Sequence, residues 1–199
     1  MILAKDIIKE GDERLKQKAS IVNPITDDDI KLACEMLEYV RNSVDEEIAT
    51  KYGLQPSVGI AAPQLGILKR IVAISAYDEE GNLHEYALIN PKILSYSADL
   101  TYLKSGEGCL SVERCVRGYV FRHRKITFSA IDVKDGTLNQ IKVRLKGYLA
   151  VVFQHEYDHL EGFLFPERIN KENPFMVPEN ATPIIFEEDE ENDNQETNA

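Results

Sequence analysis

The stretch that most constrains this chain runs from Gly147 to Gly162 and contains His155-Glu156-Tyr157-Asp158-His159, an H-E-x-x-H pattern. Its approach, Tyr148 to Phe153, is apolar on nearly every side, as in a helix buried in a core. Residues four apart on a helix share one face at about 6 Å, so both imidazoles can reach one metal ion with Glu156 beside them. Gly162 is a natural stop, because glycine tolerates the left-handed geometry that ends helices. Polar groups on a buried helix are expensive unless something engages them. The fold has to wrap this helix, and the third ligand decides the chemistry.

Two of only four histidines fall at this spacing, which argues against coincidence. In the commonest use of the motif, a peptidase cutting internal bonds, the third ligand is a His or Glu further downstream. Here no histidine follows His159, and Glu167, Glu172 and Glu179 lie in segments interrupted by Pro166, Pro174 and Pro178. The upstream candidates are Cys109, Cys115, His84 and His123. Cys109 sits between Gly108 and Leu110 in a loop of small residues, Ser105 to Val112, whose backbone can approach a helix face closely. Cys115 follows an exposed-looking Glu113-Arg114 pair with no matching backbone signal, while His84 lies in a polar turn and His123 in the basic run Arg122 to Lys125, and both histidines read as solvated. The predicted donor set is therefore Cys109, His155 and His159, with water in a fourth position.

The 199-residue sequence as a whole reads as one α+β domain, with largely antiparallel sheets packed around the buried, central metal-binding helix. A short helical turn is expected around Glu13 to Lys16. Thr26 then caps a long amphipathic helix whose apolar positions Ile30, Ala33, Leu37, Val40, Val44 and Ile48 carry it to about Lys51. Cys34 falls in that pattern as a packing residue. Gly53 to Gly66 is a second small-residue loop, made for close backbone approach. Strands are expected at Arg70 to Ser75, at Tyr86 to Asn90 where Pro91 ends it, within Lys92 to Leu103, at Tyr119 to Phe121, and at Lys125 to Val133 and Gln140 to Leu145 joined by a turn at Asp135-Gly136. Phe163 to Pro166 reads as extended. Residues 1–175 form the expected catalytic unit, and 176–199 an extended, disordered, acidic tail.

Charge and cysteine content exclude several classes. Seven of the 34 acids lie between Glu187 and Ala199 with no base among them. Without these seven, 27 acids oppose 23 bases, so most of the net charge of −11 belongs to the tail and a basic nucleic-acid binder is excluded. Three cysteines, Cys34, Cys109 and Cys115, make no disulfide framework. No run approaches a membrane span, and charges within Ile2 to Gly11 break any signal-peptide core. A cytoplasmic protein with neither membrane nor direct nucleic-acid partners is expected.

Three stretches, in order and spacing, resemble the peptide deformylases: Ser57-Val58-Gly59-Ile60-Ala61-Ala62-Pro63-Gln64, Glu107-Gly108-Cys109-Leu110-Ser111 and Gln154 to Gly162. The long early helix and the ending Cys109-Leu110-Ser111-Val112 look like the second type of that family, common in Gram-positive bacteria. The resemblance implies removal of the N-formyl group from the initiator methionine of nascent proteins, with release of formate. It implies that Glu156 moves the proton, and that the Gln64 carboxamide and the Leu110 N–H steady the oxyanion. Val58, Gly59 and Ile60 would line the substrate path, with the Gly59 backbone pairing to the peptide as an added strand. Tyr148, Val151 and Val152 would form the methionine pocket, and Glu107 would orient an arginine or backbone groups.

Donor softness alone favours zinc, whereas the resemblance implies Fe2+, one per chain, with Zn2+, Ni2+ or Co2+ as substitutes. It also implies N-formylmethionyl nascent peptides as partners and proximity to the ribosome. Two features depart from the family pattern. Ser57 stands where glycine is usual, and the acidic C-terminus contrasts with the basic helix by which some members dock on ribosomes. Arg114 and Arg117, just beyond the second motif, read as a solvated edge.

Overall fold

The computed structural model describes residues 1–185. The expected helix start is present: the Thr26 side chain accepts from the Asp29 N–H, the Asp29 carboxylate accepts in return from the Thr26 N–H, and α1 runs Asp27–Ser43. It does not continue to Lys51. Val44 keeps the apolar spacing but is 63% exposed, and Asp45 caps a separate helix, α2, Glu46–Tyr52, by accepting from the Ile48 N–H. A good cap followed by two acids outcompetes one more apolar turn that has nothing to pack against.

The larger sheet has five strands, all antiparallel, in the order β1 (Gly59–Ala61), β2 (Ile71–Tyr77), β3 (Leu83–Tyr96), β6 (Lys125–Asp132) and β7 (Asn139–Lys146). A second sheet has β4 (Leu100–Leu103) between β5 (Arg122–His123) and β8 (Ala181–Ile184), with β8 parallel to β4. The helix α3, Gly147–Leu160, lies against the larger sheet on the face opposite α1. On β2, Ile71 and Ala73 pack toward Met36, Leu37 and Val40 of α1, while Val72 and Ile74 pack toward Leu149, Val152 and Phe153 of α3. A strand covered on both faces reads as the continuous apolar run that the sequence shows. Phe128 stacks on Phe153 with ring centroids 4.3 Å apart, and so clamps α3 to β6.

Four other expectations need correction. Strand β3 runs through Pro91 instead of ending there, because the ladder shifts register between Ile89 and Lys92 with Asn90 at φ 54°. A bulge places the proline where no ladder N–H is required. Tyr119 to Phe121 is not a strand: Tyr119 and Phe121 turn their rings onto Tyr102, and pairing begins only at Arg122. Phe165–Arg168 is a short 3-10 turn with Pro166 near its start, so the expected extended segment ends at Leu164. Ala181–Ile184 lie in the stretch expected to be structureless, yet they form β8, with Ile184 buried and the Thr101 hydroxyl donating to the Thr182 carbonyl at 2.8 Å. The acidic run from Glu187 onward lies outside the described residues.

Candidate active site

Helix α3 is anchored at both ends by backbone geometry open to glycine. Gly147 has φ 54°, and a Cβ there would meet the Glu79 carboxylate that accepts the Tyr148 N–H at 2.8 Å. An acid at a helix N-terminus complements the free N–H groups and the dipole. At the other end Gly162 has φ 81°, and a Cβ would strike the Lys16 carbonyl.

Between these anchors His155 and His159 stand on one face, ring centroids 5.2 Å apart. The loop Glu107 to Ser111 brings Cys109 against them, with Sγ 3.4 Å from His159 Nε2. Ligating atoms of Cys109, His155 and His159 all lie within 4.8 Å of one another, the one such group among the described residues. His155 is turned by its other nitrogen, Nδ1, which lies 2.8 Å from Glu107 Oε2. Its Nε2 is thereby left for the cluster, the usual way a carboxylate orients a metal-binding imidazole. Cys109, His155 and His159 would be the side chains that hold a metal ion here. One soft thiol and two imidazoles suit such an ion, so the residues present fit a metal centre.

Glu107 is held in turn. Arg122 forks onto both of its oxygens at 2.9 Å, and the Arg122 Nη1 donates to Asp158 Oδ2 at 2.5 Å. Arg168 closes the chain by donating to Asp158 Oδ1 at 2.6 Å. Burial would raise the Glu107 carboxyl, but Arg122 and His155 outweigh it and hold it down at about 2. Burial likewise opposes charge on His155, yet Cys109 and Glu107 raise it well above its ordinary value. His159 is lowered well below its own, by burial first and then by the charges of His155 and Arg122. Glu156, one position round the helix, is pushed up to about 7, chiefly by burial. The arrangement presents a carboxyl able to exchange a proton near neutrality beside three convergent donor atoms.

A cavity of roughly 100 Å³ opens onto Cys109, His155 and Glu156, lined also by Val58, Gly59, Gln64, Leu110, Tyr148, Val151 and Val152. A wider cleft of roughly 700 Å³ shares Ser57, Val58, Cys109, Leu110 and Tyr148. Gln64 is buried in the 3-10 turn Ala62–Leu65; its Oε1 accepts from the Ala61 N–H at 2.8 Å, and its Nε2 points to Cys109 Sγ at 3.6 Å. The Leu110 carbonyl accepts from Lys9 at 2.9 Å, which steadies the loop behind Cys109. Gly59 is glycine for a local reason, since a Cβ there would come within 2.7 Å of Glu156 Oε1. The side chain of Ile60 is not at the cavity: it is fully buried in the core beneath α1, so that expected lining residue is corrected.

The discarded ligand candidates lie elsewhere. His84 pairs with Asp78 at 2.8 Å, His123 Nδ1 meets the Ser97 carbonyl at 2.8 Å, and Cys115 is exposed. The solvated reading of His123 was too simple, because its ring also packs on Tyr96 at 4.5 Å. Arg114 is no free edge either, as it pairs with Glu10 at 2.7 Å. Sequence reasoning passed over Arg122 and Asp158. The available signal was Asp158 itself, an acid on a buried helix that requires a cation.

Residues 4–175 match the family model described as polypeptide deformylase. The chain is 53% identical to a peptide deformylase of Oceanobacillus iheyensis over 92% of this chain and all of that one. It is 49% identical to peptide deformylase 2 of Bacillus anthracis over 92% of this chain and 99% of that one. Among solved structures it resembles a class I type b peptide deformylase of Acinetobacter baumannii, with TM-score 0.65 and 28% identity over 84% of this chain and 99% of that one. A probable peptide deformylase of Synechococcus phage S-SSM7 gives TM-score 0.63 and 34% identity over 82% and 98% of the two chains.

Proposed function

The chain belongs to the polypeptide deformylase family, and we propose that Cys109, His155 and His159 hold its catalytic metal while Glu156 and Gln64 act on the substrate. As a member it is a metal-dependent hydrolase that removes the N-formyl group from the initiator methionine of newly synthesised proteins and releases formate. The observation that carries the assignment is the convergence of one cysteine and two histidines beside an unpaired, buried Glu156 oxygen.

When bound, the metal supplies an activated water near neutral pH. The chain's own residues do the rest. Glu156 takes the proton of the attacking water and hands it to the departing amine nitrogen, as its position beside the cavity and its raised pKa of about 7 allow. The Gln64 Nε2–H and the Leu110 N–H meet the charge that develops on the formyl oxygen; Gln64 does so without adding charge of its own. Its Oε1 is already tied to Ala61, which aims the NH2 end at the Cys109 side. Tyr148, Val151 and Val152 enclose the methionine side chain, and the backbone of Val58 and Gly59 runs along the peptide. A Met-Ala-Ser peptide is bound in a 28% identical Acinetobacter baumannii relative, TM-score 0.63, which supports a tripeptide-length substrate path.

Fe2+ is the resident metal in this reading, with Zn2+, Ni2+ and Co2+ able to replace it. A ferrous ion beside a thiolate makes the enzyme sensitive to oxygen through metal loss and oxidation of Cys109. We place the catalytic unit in residues 1–175, in the cytoplasm near ribosomes where formylated chains emerge. No helix among the described residues is long and apolar enough to cross a membrane.

The test is anaerobic purification, metal analysis, and measurement of formate release from formyl-Met-Ala-Ser beside unformylated Met-Ala-Ser. Formate from the first peptide with no backbone cleavage of either is expected. Internal cleavage of the unformylated peptide overturns the assignment.

A further inference from the structure

Strand β1 lies at the edge of the larger sheet and pairs with β2 on one side only. The Ser75 N–H donates to the Val58 carbonyl at 3.0 Å, and Gly59 stands opposite Ile74. Successive residues of a strand turn their N–H and C=O groups to alternate sides. Val58 therefore faces β2, whereas Gly59 and Ala61 offer their backbone groups to the open edge along the cavity. Both open-edge donors are already engaged within the chain. The Ala61 N–H goes to Gln64 Oε1.

Gly59 is capped by Ser57. Its N–H donates to Ser57 Oγ at 3.3 Å, and the same hydroxyl donates to the Gly59 carbonyl at 2.6 Å. One hydroxyl thus occupies both groups that an added strand would need. The Ser57 backbone is fixed separately by Ser43, a buried residue at the end of α1. Ser43 Oγ accepts the Ser57 N–H at 3.0 Å and lies 3.2 Å from the Ser57 carbonyl. The cap can consequently be removed by turning a single side-chain bond, with no backbone movement.

We infer that the Ser57 hydroxyl is a built-in competitor of the substrate peptide, an affinity determinant that must turn away before peptide backbone pairs with Gly59. This rests on the proposed pairing of Gly59 with the peptide. Binding exchanges the hydroxyl's hydrogen bonds for those of the peptide. Deleting the hydroxyl leaves the Gly59 edge to water, a weaker rival. A neutral hydrogen bond makes a modest net contribution, so its removal tightens binding about three- to tenfold.

The experiment compares wild type with Ser57→Ala on formyl-Met-Ala-Ser and on the ester analogue that lacks the first N–H after methionine. Calorimetric binding of Met-Ala-Ser is measured alongside, and thermal unfolding checks that the fold is intact. In Ser57→Ala the KM for the amide and the dissociation constant of Met-Ala-Ser are each expected to fall about three- to tenfold, with kcat within about twofold. The gap in KM between amide and ester should widen, because Gly59 then has no partner within the chain. If the amide KM is unchanged or raised in Ser57→Ala while wild type still prefers amide to ester, the competitor role is wrong and the Gly59 pairing stands. If neither protein distinguishes amide from ester, the Gly59 pairing is itself wrong and the inference falls with it.

Discussion

On one side of α3, Arg122 joins Glu107 and Asp158 through bonds of 2.5–2.9 Å, and every charge has an opposite. On the other side, Glu156 Oε2 and His159 Nδ1 are buried with no hydrogen-bond partner among the described residues. Asp158, Glu156 and His159 come from α3 itself, Glu107 and Arg122 reach it from a loop and from β5, and all have been taken out of water at considerable cost. The paired set is complete without any ligand and so serves as scaffold. The unpaired set is complete only when water, metal or substrate arrives. Saturated and unsaturated buried polarity on one helix thus separates what holds the site from what works in it.

The largest expected effect is on the working side. Cys109→Ala should lower bound metal from about one ion per chain toward none, read by elemental analysis after gel filtration, because two imidazoles alone make a poor site. Retention of full metal content would break the ligand assignment. Glu156→Gln should keep its metal but lose about 10²–10⁴-fold in formate release. Its melting temperature should hold or rise, since a buried carboxyl without a partner is gone. A Glu156 variant that lost stability would place that residue with the scaffold.

On the paired side, Arg122→Met should destabilise the fold by about 3–5 kcal/mol in urea unfolding, because it removes the cation shared by two buried carboxylates and leaves Glu107 to His155 and Asp158 to Arg168. Metal affinity should also weaken by about 10–100-fold through loss of the Glu107 support for His155. The smallest effect concerns a polar cluster remote from the site. Asp29 is buried beneath Lys69 at 2.6 Å; burial raises its carboxyl, but Lys69 and Thr26 outweigh that and hold it below its ordinary value. A depressed folded pKa contributes stability that is full above the unfolded value and is lost as pH falls through the folded one. Asp29→Ala should therefore cost about 1 kcal/mol at neutral pH. The difference from wild type should shrink below about pH 4. A difference that persisted into strong acid would show that the residue acts by packing and not by charge.

Much of the local structure could be read directly. Thr26 announced α1, the run Gln140 to Leu145 announced β7, and Gly162 marked the end of α3. Cys109 could be picked out from its small neighbours, because close approach is a property of the loop's own residues. Other features depend on partners far along the chain. Val44 continues an apolar pattern with no surface to meet, and Arg122 looks like one of a run of surface cations until Glu107 and Asp158 close around it. Ile60 sits in a motif facing the cavity, yet its side chain is directed into the core by the pleat of β1.

Local sequence was enough to set the helix that carries His155, Glu156 and His159, the loop that carries Cys109, and the chemistry those residue types permit. Periodicity, capping and glycine geometry are local and act within one turn or one loop. Tertiary structure alone decided which buried charges are saturated, that β8 joins β4, and that Ser57 rather than solvent covers the open edge at Gly59. Those outcomes depend on desolvation and on pairing between distant segments, and no short window of sequence contains both partners.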